Sequence, residues 1–102
     1  MEILLATTAD LQKVIEARVE FFGHIGHTLD EAAELDIRTR MAEYCAAHLG
    51  TDDFAALLGI ENGEVVAAAF LLVHAYPPAH VIPTNKRGYV TNVFTRPEVQ
   101  GK

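Results

Sequence analysis

The sequence predicts an α+β fold with a mixed, largely antiparallel sheet, in the order β-α-α-β-β-β. Three observations carry that expectation. Apolar residues recur at helical spacing from Leu11 to Phe22 and again from Ile37 to Leu49. After Thr51-Asp52-Asp53 the helical period gives way to short apolar runs joined by Asn62-Gly63, a dipeptide that favours a tight hairpin turn. A last run, Gly88 to Thr95, is rich in β-branched and aromatic residues and reads as a strand.

Each element has a local reason. Residues 2–6 (EILLA) form a short apolar run that suits a first strand. Thr7 stands three before Asp10, so hydroxyl and carboxylate can satisfy the free N–H groups of a helix start. The helix that follows carries Leu11, Val14, Ile15, Arg18 and Phe22 on one stripe, with Gln12, Lys13, Glu16 and Glu20 elsewhere. Arg18 is the charged break in that stripe. Gly23 and Gly26 loosen the chain around His24 and His27. Thr28 then precedes Glu31 by three and predicts a second capping box. Ile37, Met41, Tyr44, Cys45 and Leu49 form one face of a second helix, and Gly50 sits where a left-handed residue ends it. Phe54 to Ile60 and Val65 to Val73 are the arms of the hairpin. The second arm is almost wholly apolar, which predicts a central strand covered on both faces. Pro77 to Pro83 reads as a stiff loop, and Arg96-Pro97-Glu98 ends the last strand.

Composition bounds the function. The chain has 102 residues, 50% hydrophobic and 22% charged, which fits one folded domain and excludes intrinsic disorder. Its longest apolar run, Val65 to Val73, is too short for a membrane-spanning helix. A single cysteine makes no internal disulfide and no zinc site by itself. That usage fits a reducing compartment, and Met1-Glu2-Ile3 lacks the basic start of a secretory signal, so the expected location is cytoplasmic, away from membranes. A net charge of -6 argues against nucleic acid as a partner. The charge is uneven: residues 1–83 hold 13 acidic and 4 basic residues, whereas residues 84–102 hold Lys86, Arg87, Arg96 and Lys102 against Glu98. A basic end on an acidic body suits a ligand with phosphates.

Isolated candidates for chemistry are weak. His24-x-x-His27 has metal-ligand residue types but no third ligand nearby. Cys45 lies on an apolar stripe, where a small buried hydrophobe is the ordinary case. Asp52-Asp53 suit a solvated turn. His74, at the end of a buried run, has a side chain that titrates near neutrality and could serve as a base.

The end of the chain carries more. The run Tyr89-Val90-Thr91-Asn92-Val93-Phe94-Thr95-Arg96-Pro97-Glu98-Val99-Gln100-Gly101-Lys102 resembles the core signature of the GCN5-related N-acetyltransferases, the GNAT superfamily. In that signature a strand of the form Asn-Val-x-Val/Thr leads through x-Pro-Glu into an Arg/Gln-x-x-Gly-x-Gly/Ala turn. Asn92 to Thr95 match the strand, Arg96 to Glu98 the connector, and Gln100-Gly101-Lys102 the first three positions of the turn. The element order upstream resembles the first half of the same three-layer fold. The resemblance implies that residues 1–102 are a single unit, the N-terminal portion of an acetyltransferase domain that continues into a phosphate-binding helix and further strands.

It also implies a reaction: transfer of an acetyl group from acetyl-CoA to an amine of a small-molecule or peptide acceptor, with acetyl-CoA as co-substrate and no metal. In the family a bulge in the fourth strand frees main-chain groups for the thioester and the pantetheine arm. By the motif, Val93 would supply the catalytic N–H at the thioester carbonyl, and Phe94 and Thr95 would pair with pantetheine through their main chain. Read simply as residues of a strand, Val93 and Phe94 are core side chains. Gln100, Gly101 and Lys102 would begin the pyrophosphate cradle. The acceptor would lie between the first helix region and the fourth strand, against Phe22, Tyr89 and Thr91, with Arg18 and the 23–28 loop as further lining. Tyr89 stands where some family members carry a glutamate base, which leaves His74 or a water relay for that role.

Because the turn breaks at Lys102, little activity is expected of these residues alone. A sheet edge left open at the last strand predicts a homo-oligomer paired through that edge; a strictly monomeric light-scattering mass at high concentration would count against it. The competing expectation is a small non-catalytic α+β domain that binds a ligand or dimerises.

Overall fold

The computed structural model describes residues 1–75 and 86–99, and the order of elements is the one expected. Strand β1 (Glu2–Leu5) leads through a single 3-10 turn (Thr8–Asp10) into α1 (Leu11–His24) and α2 (Glu31–His48). Strands β2 (Phe54–Glu61), β3 (Glu64–Ala75) and β4 (Lys86–Thr95) follow, then a second 3-10 turn, Pro97–Val99. The four strands form one sheet in sequence order, and each neighbouring pair is antiparallel. Both helices pack on one face of it. The expected loop at Pro77 to Pro83 lies outside the described residues, as do Gln100, Gly101 and Lys102.

Local chemistry accounts for most boundaries. The Thr7–Asp10 capping box forms in full: Thr7 Oγ1 accepts from the Ala9 N–H, and Asp10 Oδ2 accepts from the Thr7 N–H at 2.9 Å. Asn62 and Gly63 both take positive φ, 53° and 80°, as a two-residue hairpin turn with the right twist requires. The second capping box does not form. Asp30, not Thr28, is the N-cap of α2, because its carboxylate accepts from the Ala33 N–H at 2.8 Å and places negative charge at the helix start. Gly50 takes the positive φ expected just past the end of α2.

The core lies between the helices and the sheet. Val14, Ile15 and Ala17 of α1 and Met41 and Cys45 of α2 pack on Ala56, Leu58, Ala68, Phe70 and Phe94. Phe21 rather than Phe22 is the α1 aromatic that packs against this cluster. Tyr44, Phe54 and Phe70 meet edge to face, at centroid distances of 5.1 and 5.3 Å. Arg38 of α2 reaches both Glu34 on its own helix and Glu16 on α1, which ties the two helices together. Cys45 is buried, and burial pushes its thiol pKa up, as befits a packing residue.

One expectation about β3 is corrected. The strand is internal to the sheet, but among the described residues only one of its faces is covered. Val65, Ala68 and Phe70 pack under the helices, whereas Leu71 is exposed on the other face, with Ile3, Leu5, Leu57 and Val93 around it. An apolar run on both faces of a strand does not specify which face is covered. Among the described residues no helix is long and apolar enough to cross a membrane.

Candidate functional site

Among the described residues the register of the sheet shifts at two points, one between β2 and β3 at Gly59 and Ile60, and one in β4. Ala68 pairs with Phe94 and Phe70 with Thr91, so Ala69 opposes both Asn92 and Val93. That is a β-bulge: one extra residue in β4 leaves the ladder and sharpens the local twist. Asn92 makes it possible by adopting a left-handed conformation at φ 55°. Asparagine tolerates that region better than other residues with a Cβ.

The bulge is fastened from α1. Asn92 is 1% exposed, the one buried polar side chain of the described core. Its Oδ1 accepts from Arg18 Nη1 at 3.0 Å, and its Nδ2 donates to the Ala17 carbonyl at 3.4 Å. Arg18, the break in the apolar stripe, therefore has a partner 74 residues away. Its guanidinium also lies 4.8 Å from the centroid of the Phe22 ring and 5.7 Å from that of Phe21. Burial lowers its pKa from the usual guanidinium value.

A second tie lies one residue beyond the strand's last paired position, Thr95. Arg96 grips Glu20 of α1 with both arms of its fork, at 2.8 and 2.9 Å. Glu20 also bonds His24 Nε2 at 3.0 Å, and the His24 ring stacks on Phe94 at 4.7 Å. Hydrogen bonds from Arg96 hold the Glu20 carboxyl below the usual glutamate range, with His24 adding to the effect against a smaller push from burial. A depressed carboxyl stabilises the fold above its unfolded pKa and loses that contribution as pH falls through the folded value. Glu20→Gln is accordingly expected to cost about 1 kcal/mol at neutral pH, a modest figure because the pair is partly exposed. The difference from the parent should shrink as pH falls from the ordinary glutamate range through the lower folded value and vanish once the carboxyl is protonated in both states. Urea melts across that range check it; a constant difference at all pH values would remove the charge pair as its cause.

The proposed site residues fall into distinct places. Val93 is at the bulge, but its side chain is 59% exposed on the uncovered face, so the expectation of a core residue is corrected: the extra residue turns it away from the helices. Phe94 is core, 5% exposed. Thr95 ends the strand opposite Ala67. Thr91 and Phe22 come together around Arg18: Thr91 shares a hollow of about 180 Å³ with Arg18, Met41, Tyr44, Phe54, Phe70 and Leu72, and Phe22 stacks beneath the guanidinium. Tyr89 is exposed, two residues nearer the start of β4. His74 is exposed at the far end of β3, opposite Arg87. His24 and His27 are engaged by rings, stacking on Phe94 and Phe22 respectively. Among the described residues no three His, Cys, Asp or Glu side chains gather as a metal site. Sequence reasoning missed the part played by the Asn92 side chain; the available signals were an asparagine inside a strand and an arginine inside an apolar stripe.

No protein-family model and no curated protein sequence matches the chain. Solved structures do. A predicted acetyltransferase from Clostridium acetobutylicum, crystallised with acetyl-CoA, superposes with a TM-score of 0.84 at 22% identity, over 99% of this chain and 63% of its own. The fold is that of the GCN5-related N-acetyltransferases. A GCN5-related N-acetyltransferase from Ralstonia eutropha JMP134 gives a TM-score of 0.77 at 22% identity, over 99% of this chain and 65% of its own. An aminoglycoside 6'-N-acetyltransferase from Acinetobacter haemolyticus gives 0.62 at 17% identity, over 99% of this chain and 61% of its own. The chain thus spans less than two thirds of the length of each GNAT structure it matches. Within that fold, the Asn92 bulge occupies the fourth strand, where the sequence resemblance led us to expect it.

Proposed function

We propose that these residues form the first part of an N-acetyltransferase that moves an acetyl group from acetyl-CoA to an amine. The observation that carries the reading is the β4 bulge at Asn92 and Val93, held open by Arg18 and Ala17 in a GNAT fold. A bulge releases main-chain groups from the ladder at one defined point. There the Val93 N–H donates to the thioester carbonyl oxygen. As the amine nitrogen forms its bond to the carbonyl carbon, negative charge builds on that oxygen, and a fixed donor stabilises it without reorganising. The C–S bond then breaks, the thiolate takes up a proton, and the nitrogen gives one to water or a base. Phe94 and Thr95 pair with the pantetheine arm through their main chain, which is compatible with a buried Phe94 ring. By the motif, Gln100, Gly101 and Lys102, which lie outside the described residues, begin the pyrophosphate cradle. Phe22, Tyr89 and Thr91 line the acceptor's approach.

The test is a backbone amide NMR titration of this chain with acetyl-CoA and, separately, with S-acetylpantetheine, which lacks the nucleotide. Shifts centred on Val93, Phe94 and Thr95 are expected with both ligands. Unmoved β4 amides with both would end the reading.

A further inference from the structure

Arg18 stands apart from the other cations whose partners are defined. Arg38 faces Glu16 and Glu34, Arg96 faces Glu20 and Glu64, Arg40 faces Asp36, and Lys13 faces Asp10. Arg18 has no carboxylate within ion-pair distance among the described residues; its acceptor is the neutral amide oxygen of Asn92. Residues 76–85 and 100–102 contain no Asp or Glu side chain that could supply one. A guanidinium has five N–H donors in a planar fork, and this bond uses one. No buried side-chain nitrogen among the described residues lacks a partner, so the remaining donors open onto accessible space.

That space is shaped. Arg18 lines two adjoining hollows of about 180 and 270 Å³ that share Met41 and Tyr44 as walls. The first is floored by apolar side chains of β2 and β3; the second opens past Arg40. By contrast, a larger hollow, about 430 Å³ between α1 and the β2–β3 turn, is lined by charges that already satisfy one another, Glu20 and Glu64 with Arg96. A partly buried positive charge without a counter-ion, beside an apolar cavity in a chain of net charge -6, is a binding arrangement rather than a surface accident.

We propose that this pocket selects an acceptor bearing a carboxylate beside its amine, with an apolar arm. Arg18 takes the carboxylate in its free donors, and the arm lies among Met41, Tyr44, Phe54, Phe70 and Leu72. Because Arg18 is bonded to Asn92, the anion is bound at the bulge itself. The amine must therefore lie within a few bonds of the carboxylate to reach the acetyl group, as in an amphipathic amino acid. The inference rests on the acetyltransferase reading for the role of the amine, but not for the binding of the carboxylate.

Calorimetry on the chain with L-leucine and L-phenylalanine, against isoamylamine and phenethylamine, separates the two. The amines keep the nitrogen and the arm and lack only the carboxylate. The amino acids are expected to bind roughly tenfold or more tightly. Arg18→Met should remove that preference, while Arg18→Lys, which keeps the charge without the fork, should keep part of it. Equal binding of both classes, or binding of neither, overturns the proposal. Should Arg18→Met not fold, the four-ligand comparison on the parent chain still decides. A carboxylate preference with β4 amides silent to acetyl-CoA would end the acetyltransferase reading and leave the pocket. Responsive amides without the preference would do the reverse.

Discussion

Replacing Asn92 by alanine should lower stability by about 2–4 kcal/mol. A left-handed backbone costs an ordinary residue roughly 1–2 kcal/mol. Removing the amide also strips a part-buried guanidinium and a main-chain carbonyl of their partner, at about 1–3 kcal/mol. In a domain of this size that is a fall in Tm of roughly 10–25 °C. Two companion variants divide the cost. Asn92→Gly restores the backbone freedom, gives part of it back as unfolded-chain entropy, and should melt above the alanine variant. Asn92→Asp keeps an acceptor for Arg18 and loses the donor to Ala17. Thermal melts of the three rank the terms, and an alanine variant within about 0.5 kcal/mol of the parent would show that the side chain does not hold the bulge.

What could be read in the sequence was what neighbouring residues decide among themselves. The Asn62-Gly63 turn, the Thr7–Asp10 box and the apolar face of α2 each depend on residues a few positions apart, and each formed as expected. The start of α2 was misplaced because Thr28 and Asp30 are both good caps, and only geometry shows which one reaches the Ala33 N–H. The rotation of α1 was off by one aromatic: Phe21 and Phe22 are adjacent on a helix, and the choice follows from Arg18 turning toward Asn92. The ties that build the site join α1 to β4 across 74 to 76 residues, with no periodicity to announce them. The position of the bulge came through family resemblance rather than residue chemistry, since hydrophobic patterning alone reads Val93 and Phe94 alike.

Those two neighbours should now behave oppositely. Phe94 is buried, stacks on His24 and packs in the cluster with Val14, Phe70 and Leu58. Phe94→Ala leaves a cavity beneath the helices and should cost about 3–5 kcal/mol. A smaller loss is expected of Phe94→Leu, which fills most of the space. Val93 faces the uncovered side of the sheet, so Val93→Ala should fall within about 0.5 kcal/mol of the parent. Its main-chain N–H survives the change, so the amide response to S-acetylpantetheine should survive as well. In a regular strand, alternation would put Asn92 on the face opposite Thr91; the extra residue instead keeps Thr91, Asn92 and Phe94 facing the helices and turns Val93 away. Denaturant melts of the alanine pair therefore test the bulge itself: unbroken alternation from Thr91 would bury Val93 and expose Phe94, so a costly Val93→Ala beside a tolerated Phe94→Ala would mean that β4 runs regularly and that nothing in it is set aside for a ligand.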